Sequence, residues 1–230
     1  MSTFAEKAAA NIAALRSTGL LGAPMDEHFD KLTVMAGRLL RVPVSLVSMV
    51  DVERQVFLGA TGLPEPWATR RETPLTHSFC QHVVMNDAPL QVSDARVDPL
   101  VRDNRAVEEL GVVAYLGIPL RTAERVTIGS LCAIDSRPRE WTAEDLALLQ
   151  DLAQLADAQI ALRGELRAAL VQMAGDLADL LSPAREVAQA REGDASLPAV
   201  VQGDFATVRE ALARYAAVLA QWGVADRPRG

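Results

Sequence analysis

The sequence has few of the features that mark nucleic-acid-binding, membrane and secreted proteins. Its 230 residues carry a formal net charge of -7, and no cluster of five or more Lys and Arg residues occurs, so neither nucleic acid nor a membrane is expected as a partner. No apolar run approaches the roughly 18 residues that a membrane span needs. The two cysteines, Cys80 and Cys132, each lie in an apolar stretch rather than in a disulfide framework. We therefore expect a cytoplasmic protein.

Catalytic motifs are also scarce. The phosphate-binding patterns G-x-x-x-x-G-K-[ST] and G-x-G-x-x-G do not occur, and no nucleophile elbow supports a catalytic triad. Residues 161–230 are too few for a kinase ATP domain or a cyclase, and they contain no histidine that could accept a phosphoryl group. We therefore predict no catalytic residues and a non-enzymatic function.

The apolar pattern predicts an α+β fold. Phe29, Leu32 and Ala36 recur at helical spacing, whereas residues 42–51 and 55–62 are apolar, partly β-branched segments that the turn "DVER" joins into a hairpin. Two further strands, 112–120 and 125–136, are apolar nearly throughout, which indicates a mostly antiparallel sheet that is covered on both faces.

The last third of the sequence is helical in character. Thr142 and Asp145 have the spacing of a capping box at the start of a long helix. Helical character continues to about Leu181, where "SP" at 182–183 is predicted to end the helix, and residues 204–223 form a last helix. We therefore predict an α+β domain over 1–160 and a helical segment over 161–230.

Four phrases of the sequence carry a family resemblance. They are "LLGAPMDEHFDKLTVMAGRLLRVPVSLVSMVD", "TPLTHSFCQHVV", "LQVSDARVDPLVRDNRAVEELGVVAYLGIPL" and "IGSLCAIDSRPREWTAEDLALLQDLAQLA". In this order they resemble the GAF domain, a small-molecule and signal-sensing module, in the variety found in bacterial sensor kinases and cyclic-nucleotide signalling enzymes. The resemblance implies a PAS-like antiparallel sheet with terminal helices on one face. On the other face, loops and short helices enclose a pocket.

The stretch "THSFCQHVV" (76–84) holds two of the three histidines and one of the two cysteines. If residues 77–82 are helical, His77 and Cys80 lie about 60° apart around the helix axis and His82 points away from both. Three such ligands do not converge on one ion, so no metal site is expected. We interpret the stretch as the beginning of a helix whose inner residues line or support the pocket.

Three specialised GAF branches match the sequence less well. Free methionine sulfoxide reductases place their catalytic thiol before the segment that here reads "YLGIPL", where no cysteine occurs, although Cys80 falls near another thiol position of that pattern. The phytochrome-like branch attaches a bilin through a cysteine in the segment that here reads "LVRDNRAVEE", and the Asn-Lys-Phe-Asp-Glu signature of the cyclic-nucleotide-binding branch is missing. Haem bound through His77 or His82 stays an alternative, and the sequence identifies no cofactor.

The predicted pocket residues lie on the short helix and on the strands that face it. Tyr115 and Ser130 supply the polar groups that a pocket needs on otherwise apolar strands. The predicted ligand-binding residues are Phe79, Cys80, Val83, Asp94, Tyr115 and Ser130.

The resemblance implies a regulatory module that binds a small molecule and signals through its C-terminal helices. The output would be a partner kinase or another protein. The alternatives are an adaptor that acts through protein contacts without a ligand, and a haem- or thiol-based redox sensor.

Large apolar residues form two seams at coiled-coil spacing in the helical third, which predicts a homodimer. An intramolecular hairpin of the two helices is the alternative; we predict a dimer joined through helices 142–181 and 204–222. The seams consist of Leu166, Leu170, Met173, Leu177 and Leu180, and of Phe205, Val208, Leu212, Tyr215, Leu219 and Trp222.

Overall fold

A computed structural model describes residues 4–22 and 27–190, together with isolated helical positions at 207, 210, 211, 213, 214 and 217. The chain divides into two compact units, Met1–Gly164 and Glu165–Gly230. The apolar seam predicted for the last helix lies outside the described residues.

A six-stranded sheet organises the first unit. Its strands are β1 (Val44–Val50), β2 (Arg54–Thr61), β3 (Glu72–Pro74), β4 (Leu90–Val92), β5 (Ala114–Arg121) and β6 (Thr127–Asp135). They lie in the order β3-β2-β1-β6-β5-β4, and each neighbouring pair is antiparallel. The predicted β1–β2 hairpin is confirmed, and the two further predicted strands correspond to β5 and β6, which pair antiparallel.

Helices lie on both faces of the sheet. They are α1 (Phe4–Thr18), α2 (Glu27–Leu40), α3 (Trp67–Arg70), α4 (Cys80–Asn86), α5 (Arg105–Glu109) and α6 (Ala143–Ala190), with short 3-10 turns at Leu20–Gly22 and Leu75–His77. Successive side chains of a strand point to opposite faces of the sheet. Leu46 and Tyr115 accordingly pack with residues of α4 and α5, whereas their neighbours Val47 and Leu116 pack with residues of α1, α2 and α6. The prediction that both faces are covered is confirmed.

Helix α2 lies very close to β2 at Gly59. A Cβ atom at position 59 would overlap the carbonyl group of Phe29, so the close approach requires glycine. Next to this point the Asp30 carboxylate accepts the Ala60 N–H at 3.0 Å and pairs with both terminal nitrogens of Arg71 at 2.8 and 3.1 Å. These contacts fix α2 on the sheet.

The capping box at the start of α6 is confirmed. The Asp145 N–H donates to Thr142 Oγ1 at 3.1 Å, and the Thr142 N–H donates to Asp145 Oδ2 at 3.1 Å. These two bonds satisfy backbone donors that a helix start leaves without partners.

The stretch 76–84 contains the beginning of a helix, as predicted. Helix α4 starts at Cys80 rather than at His77, because Ser78 is extended and its Oγ accepts the Gln81 N–H at 3.1 Å. One predicted helix end is wrong. Helix α6 does not end at residues 182–183 but continues to Ala190. Pro183 removes one backbone donor, and the Ala- and Leu-rich sequence around it favours helix strongly enough to continue.

Candidate functional site

An apolar cavity of about 40 Å³ lies between the sheet and the short helices α4 and α5. Ligand pockets for drug-sized molecules usually measure about 300–1,000 Å³, so in this structure side chains fill most of the site. Its lining consists of Val44, Leu46, Gln55, Phe57, Leu63, Pro64, His77, Phe79, Cys80, Ala106, Leu110, Val112, Tyr115, Cys132 and Ile134.

A buried cluster of thiols and hydroxyls lies at the cavity wall. The Tyr115 hydroxyl donates to Cys80 Sγ at 3.3 Å and lies 3.4 Å from Ser130 Oγ. A hydrogen bond from the Cys132 thiol lowers the pKa of Cys80 to about 7 against the effect of burial, and the hydroxyl of Tyr115 acts in the same direction. The same hydrogen bond, together with burial, raises the pKa of Cys132 well above its usual value. Of this pair, Cys80 is therefore the thiol with the lowered pKa.

Gly117 leaves room for the Tyr115 side chain. The two residues lie two positions apart on β5, and a Cβ atom at position 117 would overlap the Tyr115 hydroxyl and ring. The ring also lies 5.2 Å from the ring of Phe79, centroid to centroid. Glycine at position 117 thus allows the tyrosine to lie along the strand and reach Cys80.

Gln55 is the centre of a second buried polar network. Its Oε1 accepts hydrogen bonds from Ser78 Oγ at 2.7 Å and from Ser48 Oγ at 3.2 Å, and its Nε2 donates to Thr73 Oγ1 at 2.8 Å. Gln55 lines the cavity and is 4% exposed. The network joins three strands to the segment before α4 and satisfies both ends of the buried amide.

His77 and Glu109 connect two walls of the cavity. His77 Nε2 lies 2.9 Å from Glu109 Oε2, and Asn104 Nδ2 donates to the Ser78 carbonyl at 3.1 Å. The hydrogen bond with His77 lowers the pKa of the Glu109 carboxyl. Because these contacts join α5 to the segment before α4, they hold α5 over the cavity.

The structure brings three of the six predicted ligand-binding residues into the cavity lining, namely Phe79, Cys80 and Tyr115. Ser130 is fully buried beside the Tyr115 hydroxyl, and Val83 is buried in the surrounding apolar cluster. These two residues are outside the lining.

Asp94 lies in the loop after β4, also outside the lining. Its Oδ2 pairs with Arg96 Nη2 at 2.6 Å, and the hydrogen bond from Arg96 lowers the pKa of the Asp94 carboxyl. Gln55 lines the cavity but was not among the predicted ligand-binding residues. Its one signal in the sequence is a lone amide inside the apolar pattern of β2.

A wider, polar cleft of about 580 Å³ lies on the opposite face, between α6 and the end of β5. Its charged lining residues are Arg121, Arg125, Asp151 and Asp157. The Arg121 N–H donates to Asp157 Oδ1 at 2.8 Å. Burial raises the pKa of Asp157, although the hydrogen bond from Arg121 opposes this effect.

Among residues 4–22 and 27–190, no helix is both long and apolar enough to cross a bilayer. Over the same ranges, no three or more His, Cys, Asp and Glu side chains are grouped so that they could hold a metal ion.

Comparison with known proteins gives a family match and a named relative. Residues 24–160 match the model of the GAF domain family. A Pseudomonas aeruginosa protein named as a cyclic di-GMP phosphodiesterase is 39% identical over 144 residues, which are 62% of this chain. The match covers 24% of that protein, so this chain spans about a quarter of the relative's length.

Solved structures similar to this chain include two GAF domains. The GAF domain of PixJ from Thermosynechococcus elongatus, in its blue-light absorbing form, has a TM-score of 0.50 at 16% identity and covers 70% of this chain and 95% of its own. The GAF domain of an Acinetobacter phosphoenolpyruvate-protein phosphotransferase has a TM-score of 0.49 at 14% identity and covers 74% of this chain and 98% of its own. The likeness to PixJ concerns the fold alone, which agrees with the predicted α+β class.

The prediction of a non-enzymatic protein is wrong. The 39% identical relative is named as an enzyme, a cyclic di-GMP phosphodiesterase. The prediction rested on the lack of catalytic motifs in these 230 residues, which span about a quarter of the relative's length.

Proposed function

The chain belongs to the GAF domain family, and from this membership we propose that it is a small-molecule-sensing, regulatory segment of cyclic di-GMP turnover in the cytoplasm. A ligand enters the apolar cavity, and the resulting change of shape sets the rate at which cyclic di-GMP is hydrolysed. The link to cyclic di-GMP is supported by the 39% identical relative that is named as its phosphodiesterase. A phosphodiesterase therefore replaces the kinase as the proposed output.

The composition of the cavity carries the sensing part of the proposal. Its walls are mostly aliphatic and aromatic, and a few polar groups converge on it from Cys80, Tyr115 and Gln55. This combination is typical of sites for small organic molecules. The ligand is accordingly a small, largely apolar molecule with one hydrogen-bonding group.

Entry of such a ligand requires the cavity to open, because about 40 Å³ is too small for it. Helix α5 is the wall that opens most easily. It has only five residues, and polar contacts at its two ends, His77 with Glu109 and Asn104 with Ser78, hold it in place. Water can replace polar contacts of this kind more readily than it can replace packed side chains.

Indole, an apolar ring with one N–H donor, is a suitable probe of the cavity. It should raise the Tm of the wild-type chain, because it binds the folded state. Ala106→Phe should abolish this effect, because Ala106 lines the cavity and the added ring fills it. Glu108→Phe adds the same ring at an exposed position of α5 and should leave the effect intact.

Native mass spectrometry and an absorbance spectrum of the purified chain complete this test. A retained small molecule would support sensing even if indole is the wrong shape. The sensing proposal is refuted if indole stabilises neither the wild type nor Glu108→Phe and the purified chain retains no molecule.

The link to cyclic di-GMP is tested separately in bacterial cells that produce the chain. The cellular cyclic di-GMP concentration should differ between cells with the wild type and cells with Ala106→Phe. Equal concentrations with the wild type, the variant and an empty vector would refute the proposed output.

The small volume of the cavity favours a second candidate function, an adaptor that acts through protein contacts alone. Its own side chains, including Phe79 and Tyr115, already fill most of the space. An adaptor should not respond to indole, whereas Ala106→Phe should lower its stability by about 1–3 kcal/mol through overpacking.

We also propose that the chain forms a homodimer through α6. In the first unit Leu155 and Leu162 are 55% and 60% exposed and lie seven residues apart. In the second unit Leu166 and Met173 are 58% and 66% exposed at the same spacing. A seven-residue repeat of large apolar side chains is typical of helices that pack against another helix.

Light scattering at micromolar concentration tests the dimer. The wild type should have the mass of two chains, and Leu155→Asp combined with Leu162→Asp should give one, because two carboxylates in such a seam would be buried without partners. Gln150→Asp with Gln154→Asp introduces the same charges on exposed positions of α6 and should stay dimeric. A wild-type chain with the mass of a monomer refutes the proposal.

A further inference from the structure

The C-terminal end of α4 is tied to the sheet by one carboxylate. Asp87 ends the helix with a left-handed backbone conformation, at a φ of 51°. Its Oδ1 accepts hydrogen bonds from Arg121 Nη2 at 2.9 Å, from Arg121 Nε at 3.2 Å and from the Thr127 hydroxyl. Arg121 and Thr127 are paired residues of β5 and β6. The position of α4 is therefore set at one end of the β5–β6 hairpin.

The main chain of Arg121 is bonded to a different helix. Its N–H donates to Oδ1 of Asp157, a residue of α6, at 2.8 Å. This bond occurs where the pairing of β5 with β6 is irregular, between Leu120 and Arg121. Arg121 thus contacts α4 with its side chain and α6 with its backbone.

Helix α4 begins in the wall of the cavity. Its first residue, Cys80, lines the cavity, and Asp87 follows its last residue. At about 1.5 Å per residue these two positions lie about 10 Å apart along the axis. A well-packed helix of two turns moves as a body. A shift at the cavity end therefore reaches the Asp87 end.

We propose that Asp87, Arg121 and Asp157 form a coupling bridge that transmits the state of the cavity to helix α6. The inference rests on the proposed sensing function and specifies how the signal leaves the site. A ligand that displaces α4 pulls Asp87 away from the Arg121 side chain. The end of β5 at Arg121 is then released from α4 and shifts relative to Asp157 on α6. Coupling between two sites is reciprocal. Breaking the bond at Asp157 must therefore loosen α4.

The reactivity of the two buried cysteines shows whether α4 opens locally or the whole domain unfolds. Cys80 begins α4, whereas Cys132 lies in the central strand β6, next to β1 and β5. Local opening of α4 exposes Cys80 alone, and global unfolding exposes both thiols. The full chain is reacted with N-ethylmaleimide at neutral pH, and mass spectrometry of peptides gives a labelling rate for each cysteine.

Asp157→Ala is expected to speed the labelling of Cys80 about tenfold, as the loss of one hydrogen bond implies, and to leave the rate at Cys132 unchanged. Asp157→Asn keeps an oxygen acceptor for the Arg121 N–H and should label like the wild type. Asp151→Ala is the matched control, because Asp151 lies in the same cleft on α6 and is exposed. It should also label like the wild type.

Two results would overturn the bridge. An unchanged rate at Cys80 in Asp157→Ala would show that α4 does not depend on the bond. Equal acceleration at both cysteines would show a general loss of stability without coupling. The experiment uses no ligand, so its outcome does not depend on whether the cavity binds indole.

Discussion

Replacing Tyr115 by Phe tests the polar cluster around Cys80 directly. The substitution removes the hydroxyl that donates to Cys80 Sγ at 3.3 Å, and it keeps the ring that packs against Phe79. The thiolate loses a hydrogen bond that stabilises its charge. We therefore expect the pKa of Cys80, about 7 in the wild type, to rise.

The size of this effect follows from the energy of one hydrogen bond. A hydrogen bond to a charged group contributes about 1.5–3 kcal/mol, and about 1.4 kcal/mol corresponds to a factor of ten in an ionisation equilibrium. Because Cys132 supplies the largest stabilising effect and remains in place, the lower end of this range applies. The ratio of thiolate to thiol at Cys80 should thus fall about tenfold at a given pH.

Ultraviolet absorbance of the thiolate, titrated across neutral pH, measures this ratio. Cys80→Ala supplies the baseline. The substitution removes the hydrogen bond with Cys80 that is the largest cause of the raised pKa of Cys132, but burial, the second cause, still raises that pKa. The reasoning is refuted if Tyr115→Phe titrates at the same pH as the wild type or at a lower pH. The hydroxyl would then not act on the thiolate.

Substitutions at three further positions test other parts of the structure, with urea unfolding as the measurement. Gly117→Ala should lower the free energy of unfolding by about 1–3 kcal/mol, because the new methyl group overlaps the Tyr115 hydroxyl; an unchanged value would contradict the packing described. Thr142→Ala should lower it by about 1 kcal/mol through loss of the α6 cap, and Thr142→Ser, which keeps the hydroxyl, should not. Burial raises the pKa of the Asp87 carboxyl, but hydrogen bonds from Thr127 and Arg121 hold this pKa below its usual range. The Asp87 carboxylate therefore stabilises the folded state fully above its unfolded pKa of about 3.9, and this contribution is lost as the pH falls through the lower folded pKa. The difference in the free energy of unfolding between the wild type and Asp87→Asn should thus shrink on acidification and not grow.

The features that the sequence predicts correctly are those with a local signal. The β1–β2 hairpin follows from two apolar segments on either side of a polar turn, and the start of α6 follows from the spacing of Thr142 and Asp145. The covering of both faces of the sheet follows from strands that are apolar at successive positions. Each of these inferences needs only neighbouring residues.

The features that the sequence does not predict depend on distant residues. Gln55 is one polar residue in an apolar strand, and its partners Ser78 and Thr73 come from segments about twenty positions away. The extended backbone of Ser78, which delays the start of α4, belongs to the same network. The three residues of β3 are too few for an alternating pattern, so the sequence does not predict this strand.

The position of Asp94 shows the limit of chemical reasoning without geometry. An aspartate between apolar segments is consistent with a pocket group, but Arg96, two positions later, binds its carboxylate outside the cavity. Sequence spacing alone does not separate these outcomes.

The lengths of the outer strands limit how this domain can meet other proteins. Both edges of the sheet, β3 and β4, are only three residues long, and β3 ends in Pro74, which has no N–H to donate. A long unpaired edge would accept a foreign strand and promote aggregation. Here a peptide that adds as a seventh strand would find few main-chain groups with which to pair. The domain is therefore suited to bind other proteins through its side-chain surfaces. Substitutions can change such surfaces without disturbing the sheet.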